Sequence, residues 1–446
     1  MGAPTTNPQP TTASRTRGLR GTITVPGDKS ISHRALMLAS QALGTTTVHG
    51  LLEGEDVLAT AEALRQCGVS ITKTGDAWII QGVGIGGLSQ PDTALDMGNA
   101  GTAARLLMGL LTPYPFSCQF VGDASLSKRP MQRVITPLER IGARFDTADG
   151  GRLPLTLHGT DMPIPLEYAL PVASAQVKSA ILLAALNTPG TTTVIESEPT
   201  RDHTERMLRF FGIEVAGSSQ AGLTHIAVTG QPAQIYQDHT FSVPADPSSA
   251  AFPLVAALIV PGSEITVTNV CLNPARTGLF DTLMEMGADL TIANRREVGG
   301  EEVGDVTARH SALRGITVPA ARAPSMIDEY PILAIAAAGA QGTTTMHGLH
   351  ELRVKESDRL AAILDGLQAN GVDAAAEDET LIVRGTGETP IGGGTVTTHF
   401  DHRIAMSFLI LGLASETSVT VDDTRAIATS FPNFMPLMRK LGAFGA

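Results

Sequence analysis

The chain has 446 residues, 43% hydrophobic and 17% charged, enough to bury more than one core of ordinary size. Its formal charge of -12 argues against a broad nucleic-acid face, which needs clustered basic residues. No apolar run reaches the roughly 18 residues of a membrane-spanning helix, and Cys67, Cys118 and Cys271 lie too far apart for a metal or redox spacing. That cysteine usage fits a reducing cytoplasm.

Residues 1–18 are polar, lack the apolar core of a signal peptide, and are expected to form a disordered tail. A β-rich run at Gly21 to Val25 then leads through a polar loop into an apolar helix from Ala35 to Leu43. Gly44 followed by Thr45-Thr46-Thr47-Val48 stops that helix and starts a strand. The loop Glu53-Gly54-Glu55-Asp56 precedes an amphipathic helix, and short alternating strands at Ser70 to Thr72 and Ala77 to Ile80 close the unit. The predicted order is βαβαββ.

The same unit recurs. A Leu or Met, three residues, a Gly and a small apolar residue occur at Leu64 to Val69, Leu138 to Ala143, Leu208 to Ile213, Leu283 to Ala288, Leu367 to Val372 and Met438 to Ala443. Each glycine is expected to end its helix in a left-handed cap. Other opening runs stand at Tyr168 to Pro171, Phe241 to Pro244 and Gly315 to Pro319, and other apolar helices at Ala180 to Leu186, Ala250 to Val260 and Ile332 to Ala338. Six units divide most simply into two α/β domains of three. The expected boundaries are 19–25 plus 247–446 for units four to six, the N-terminal strand completing that domain, and 26–246 for units one to three.

Aligning the units on one another exposes two sets of loops. The first set holds Gly27 to Arg34, Gly98 to Thr102 with Arg105, Ser174-Ala175-Gln176 with Lys178, Asp246 to Ser249, Ser325 to Glu329, and Asp401-His402-Arg403. All precede helices, where backbone N–H groups and the helix dipole favour anions. Ser30, Asn99, Asp246 and Ser325 read first as caps. Capping does not account for Lys29, Arg34, Gln176 and Arg403. The second set holds Glu53-Gly54-Glu55-Asp56, Lys128-Arg129-Pro130, Arg201-Asp202, Arg276, and Arg353 to Arg359.

So many cations in corresponding loops of an acidic chain suit small, multiply anionic ligands, since a charge-assisted bond contributes about 1.5 to 3 kcal/mol. Asp328 and Glu356 stand among them, in the two loops of one unit, placed for proton transfers in opposite directions. Asp358 and Asp202 read as salt-bridge partners. His347 and His350 lack a third ligand, so no metal is expected.

The strings Pro26 to Arg34, Gly98 to Thr102, Lys128 to Pro130, Asp328-Glu329-Tyr330-Pro331, Lys355 to Arg359 and Asp401-His402-Arg403 closely resemble those of the 5-enolpyruvylshikimate-3-phosphate synthases. Leu51 to Asp56 and Ser325 to Pro331 resemble the second bacterial class of that family. The resemblance implies two domains of three βαβαββ units with an inter-domain active-site cleft. It implies transfer of the enolpyruvyl group of phosphoenolpyruvate to the 5-hydroxyl of shikimate 3-phosphate, with no cofactor, in a cytoplasmic enzyme expected to be a monomer without nucleic-acid or membrane partners.

By position, Asp328 would handle the 5-hydroxyl proton, and Glu356 with Lys29 the proton at the phosphoenolpyruvate methylene. Lys29, Gly101, Arg129, Gln176, Arg359 and Arg403 would line the phosphoenolpyruvate site. Lys29, Ser30, Arg34, Ser174, Gln176, Arg201, Asp328 and Lys355 would hold shikimate 3-phosphate. Two positions depart from the family: Thr429-Ser430-Phe431-Pro432 lacks a Lys common there, and Ala175 replaces a common Ser. Gly101, where tolerant members can carry Ala, implies sensitivity to glyphosate. The sister transferase acting on UDP-N-acetylglucosamine usually has a reactive Cys in the loop corresponding to Asp123 to Met131, which has none here.

Overall fold

The computed structural model describes residues 7–233 and 237–445. The repeated glycines end their helices as the pattern requires. All six have positive φ, from 73° to 123°. In each copy the N–H after the glycine donates to the carbonyl of the Leu or Met at 2.9 to 3.3 Å, and the glycine N–H donates three residues back at 2.9 to 3.1 Å. Those two bonds satisfy carbonyls that a helix end otherwise leaves open. At Gly212 an added Cβ would meet nothing within 4 Å. Gly212→Ala therefore isolates the backbone cost, about 1 to 2 kcal/mol. A fall in melting temperature of roughly 2 to 4 °C per kcal/mol is expected for a unit of this size, and an unchanged value would remove the argument.

The chain forms two compact units. One comprises Gly27–Pro244 with Glu297–Glu301; the other comprises the stretch ending at Pro26, Ala245–Arg296, and the chain from Glu302 onward. In the first, three four-stranded sheets share one plan: an opening strand parallel to the second, then an antiparallel hairpin. Helices Lys29–Gln41, Gly101–Leu111 and Ala175–Ala185 are largely buried and form its core. The second and third pack closely because Gly109 faces Ala180, where a Cβ would sit 2.2 Å from the Ala180 carbonyl oxygen. Helices Glu55–Gln66, Gln132–Ile141 and His203–Phe210 bury only one face.

The other unit repeats the plan around helices Pro247–Ile259, Tyr330–Ala338 and His402–Ala414. Two opening runs join a sheet other than that of the unit they precede. The run Gly21 to Val25 does not open the first sheet: strand Arg20–Ile23 lies parallel to Glu264–Cys271. Strand His239–Ser242, beginning the run expected to open the fourth unit, instead lies parallel to Leu43–His49. The opening strands are exchanged because the chain passes from one unit to the other near Pro26 and again near Pro244.

The expected disordered tail is corrected by the structure. Residues 1–6 lie outside the described residues, but Thr11–Ala13 is a strand antiparallel to Val419–Val421, with Ala13 fully buried. The sixth sheet has three strands and lacks the closing hairpin of the other five, so the tail segment takes the position next to its middle strand. Backbone pairing at that edge and a β-prone Thr-Thr pair outweigh the polar composition that suggested disorder.

Candidate active site

Three helix starts in the Ala245–Ala446 part of the chain meet at one guanidinium. Asp401 caps helix His402–Ala414 by accepting from the Arg403 N–H at 2.9 Å, and Asp358 caps helix Arg359–Ala369 by accepting from the Ala361 N–H at 3.1 Å. Asp328 and Glu329 immediately precede helix Tyr330–Ala338. Arg359, fully buried, donates Nε to Asp401 Oδ2 at 2.8 Å, Nη1 to Asp328 Oδ1 at 3.1 Å and Nη2 to Glu356 Oε2 at 2.5 Å. Burial opposes its charge, yet Asp401, Glu356 and Asp328 together hold its pKa above the ordinary arginine value. Burial likewise disfavours ionised Asp401, but Arg359 overcomes that and holds its pKa below the usual carboxylate range.

Access separates the three acids. The Asp401 side chain has no exposure, whereas Asp328 keeps 16% and Glu356 20%. Asp401 is the permanent counter-ion; the other two are reachable from solvent. Lys355 Nζ lies 3.4 Å from Asp328 Oδ1, and Arg403 Nη1 donates to the Asp328 carbonyl at 3.1 Å. Two further cations and a helix N-terminus thus surround the reachable pair, an arrangement suited to holding an anion while moving protons.

The sequence did not single out the counter-ion role of Asp401. Nor did it show the turn that sets it. His399 and Phe400 carry φ of 50° and 57°, a left-handed conformation that costs a non-glycine residue about 1 to 2 kcal/mol. Arg425 lies 5.6 Å over the Phe400 ring, and Thr398 bonds to Asp422 through its N–H and its hydroxyl.

The Gly27–Pro244 unit holds a second polar set. Lys29 opens its helix and ion-pairs with Asp56 in the first turn of Glu55–Gln66. Arg34 is 3% exposed and donates to Thr204 Oγ1 at 2.7 Å, Ser179 Oγ at 2.7 Å and the Ser30 carbonyl at 2.8 Å, so it braces the backbone of Ser30. Gln176 bridges Arg105 at 2.8 Å and Thr102 at 3.0 Å. Arg129 donates to Asn99 Oδ1 at 2.6 Å and Ser125 Oγ at 3.2 Å. At Gly101 an added Cβ would stand 3.2 Å from Arg129 Nη1 and 3.3 Å from Arg105 Nη1, tighter than ordinary contact. Ser174 caps helix Ala175–Ala185, and Arg201 is half-buried in the loop before helix His203–Phe210.

Some cap readings need revision. Asp246 caps its helix through the Ser248 N–H and also pairs with buried Arg276, which is therefore structural. Asn99 instead joins Arg129 to Asp123, Ser30 offers its carbonyl to Arg34, and Ser325 donates to the Arg322 carbonyl. Asp358 and Asp202 pair with Arg353 and Arg206, the salt-bridge role expected of them. Among the described residues no three His, Cys, Asp or Glu side chains gather as a metal ligand set.

Comparison with known proteins agrees with this chemistry. Residues 14–438 match the family model for EPSP synthase (3-phosphoshikimate 1-carboxyvinyltransferase). A 3-phosphoshikimate 1-carboxyvinyltransferase of Parvibaculum lavamentivorans is 60% identical over 97% of this chain and 96% of its own length. One from Methylorubrum extorquens is 60% identical over 98% and 97%. The structure of EPSP synthase from Acinetobacter baumannii superposes with a TM-score of 0.86 at 44% identity, covering 97% of this chain and 98% of that one. A nearly full-length family match and relatives at this identity leave one assignment: the chain belongs to the EPSP synthase family, the 3-phosphoshikimate 1-carboxyvinyltransferases.

Proposed function

We propose that this chain carries out its carboxyvinyl transfer with Asp328 and Glu356 as its proton-transfer groups. The reaction moves the enolpyruvyl group of phosphoenolpyruvate to the 5-hydroxyl of shikimate 3-phosphate and releases phosphate, a step of aromatic amino acid biosynthesis. One observation supports the assignment best: two accessible carboxylates share the guanidinium of buried Arg359, with Lys355 and Arg403 beside them.

In this reading Asp328 accepts the 5-hydroxyl proton as oxygen attacks the enolpyruvyl carbon. Glu356, with Lys29, delivers a proton to the methylene and removes it again as the tetrahedral intermediate expels phosphate. Lys29, Arg129, Gln176, Arg359 and Arg403 hold phosphoenolpyruvate beside Gly101. Ser30, Arg34, Ser174, Gln176, Arg201 and Lys355 hold shikimate 3-phosphate. A cytoplasmic monomer needing no cofactor completes the proposal.

Phosphate release from phosphoenolpyruvate tests the acceptor directly. Release with shikimate 3-phosphate is expected, and none with UDP-N-acetylglucosamine or without acceptor; release only with the sugar nucleotide would overturn the reading. The same assay tests Gly101. A methyl there must push the Arg129 or Arg105 guanidinium aside and crowd an inhibitor lying beside phosphoenolpyruvate. Gly101→Ala should raise the glyphosate inhibition constant roughly 10- to 200-fold, the usual effect of one carbon in a fitted pocket. An unchanged constant would refute the steric argument.

A further inference from the structure

Behind Gln176 and Arg201 lies a buried charge cluster that the proposed chemistry does not use. Lys178, on helix Ala175–Ala185 and 1% exposed, places Nζ 3.1 Å from Glu196 Oε2 and 2.7 Å from Glu205 Oε1. It also donates to the Thr200 carbonyl at 3.4 Å, while the Thr200 hydroxyl donates to Glu196 Oε1 at 2.5 Å. One ammonium thus joins the helix headed by Ser174 and Gln176, the end of strand Thr191–Glu196, and the first turn of helix His203–Phe210. Residue 201 is bracketed on both sides.

The repeat shows that packing alone does not call for this lysine. Counted four residues after each N-cap, the six inner helices carry Ser32, Ala104, Lys178, Ala250, Leu333 and Ala405, all buried. Five of the positions are met by small or apolar residues. At the sixth the chain buries a cation, which is costly unless fully paired, and pairs it at the base of the Arg201 loop. Burial pushes the Glu205 carboxyl above its usual range, and Lys178 opposes that shift.

We propose that Lys178 is a positioning residue for shikimate 3-phosphate: it fixes the 200–202 loop against the helix bearing Ser174 and Gln176, so that Arg201 meets the ligand in register with them. The inference rests on the assignment of Arg201, Ser174 and Gln176 to that ligand. Its test is steady-state kinetics on Lys178→Met, Thr200→Val, Arg201→Ala and the Thr200→Val/Arg201→Ala double variant. Lys178→Met and Arg201→Ala should each raise KM for shikimate 3-phosphate about tenfold, and Thr200→Val about threefold, with KM for phosphoenolpyruvate within about twofold.

In the Arg201→Ala background, Thr200→Val should add less than about twofold, because both changes act through one group. Thr200→Val removes only a hydroxyl at the cluster's edge, so it carries the test if Lys178→Met does not fold. A lower kcat with unchanged KM in Lys178→Met and Thr200→Val, beside a raised KM in Arg201→Ala, would reduce the cluster to a structural element and overturn the proposal. An unchanged KM in Arg201→Ala would instead overturn the assignment of Arg201, and the inference with it.

Discussion

Replacing Asp328 or Glu356 by alanine is expected to cut turnover by roughly 10²- to 10⁴-fold while leaving the fold intact, the range for loss of a general acid or base. That loss corresponds to about 3 to 5 kcal/mol of transition-state stabilisation. The folding cost is far smaller. Both side chains are partly solvated, so water screens their attraction to Arg359, and each variant leaves that guanidinium two carboxylates. Phosphate release measures turnover, and circular dichroism with a thermal scan confirms folding. Near-normal turnover in both variants would end their assignment as proton-transfer groups. A parallel loss of turnover and structure would instead make them scaffold.

Much of this architecture was legible because it is repeated. One glycine seen once is weak evidence for a helix end; seen in six equivalent places, it fixed the phase of every unit, and all six adopt the left-handed conformation the cap needs. The exchange of opening strands was only half legible. Gly21 to Val25 and Phe241 to Pro244 are both short and β-prone, and local propensity cannot choose which of two similar sheets a strand joins. The Thr11–Ala13 strand was missed for the same reason: its energy comes from a partner about 400 residues away in sequence.

Within the site, the cations and the carboxylates Asp328 and Glu356 stood out in the sequence, but the buried carboxylate that organises them did not. Asp401 had the form of a cap and is one; that it is also the buried partner of Arg359 depends on two helix starts meeting in space. Asp56 and Arg105 are similar cases. The bond of Asp56 to Lys29 is set by the packing of two helix starts within one unit, and that of Arg105 to Gln176 by the packing of neighbouring units of the repeat.

The largest stability effect is expected at Asp401. Asp401→Ala leaves Arg359 fully buried without its shielded counter-ion, and breaking a buried pair from one side costs about 3 to 5 kcal/mol. Asp328→Ala, its exposed counterpart on the same guanidinium, should cost about 1 kcal/mol or less. Urea unfolding of the two variants beside the parent measures the contrast. The pH dependence supplies a second check. Because Arg359 holds the native Asp401 pKa below its unfolded value, the pair's stabilisation is complete above about pH 4, where the unfolded carboxyl is already ionised. It is lost as pH falls through the depressed native value. The stability difference between the parent and Asp401→Ala should therefore be flat at neutral pH and shrink below about pH 4. A difference that grows on acidification would mean that Asp401 stabilises through its neutral form, and the ion pair could not be what holds Arg359 in place.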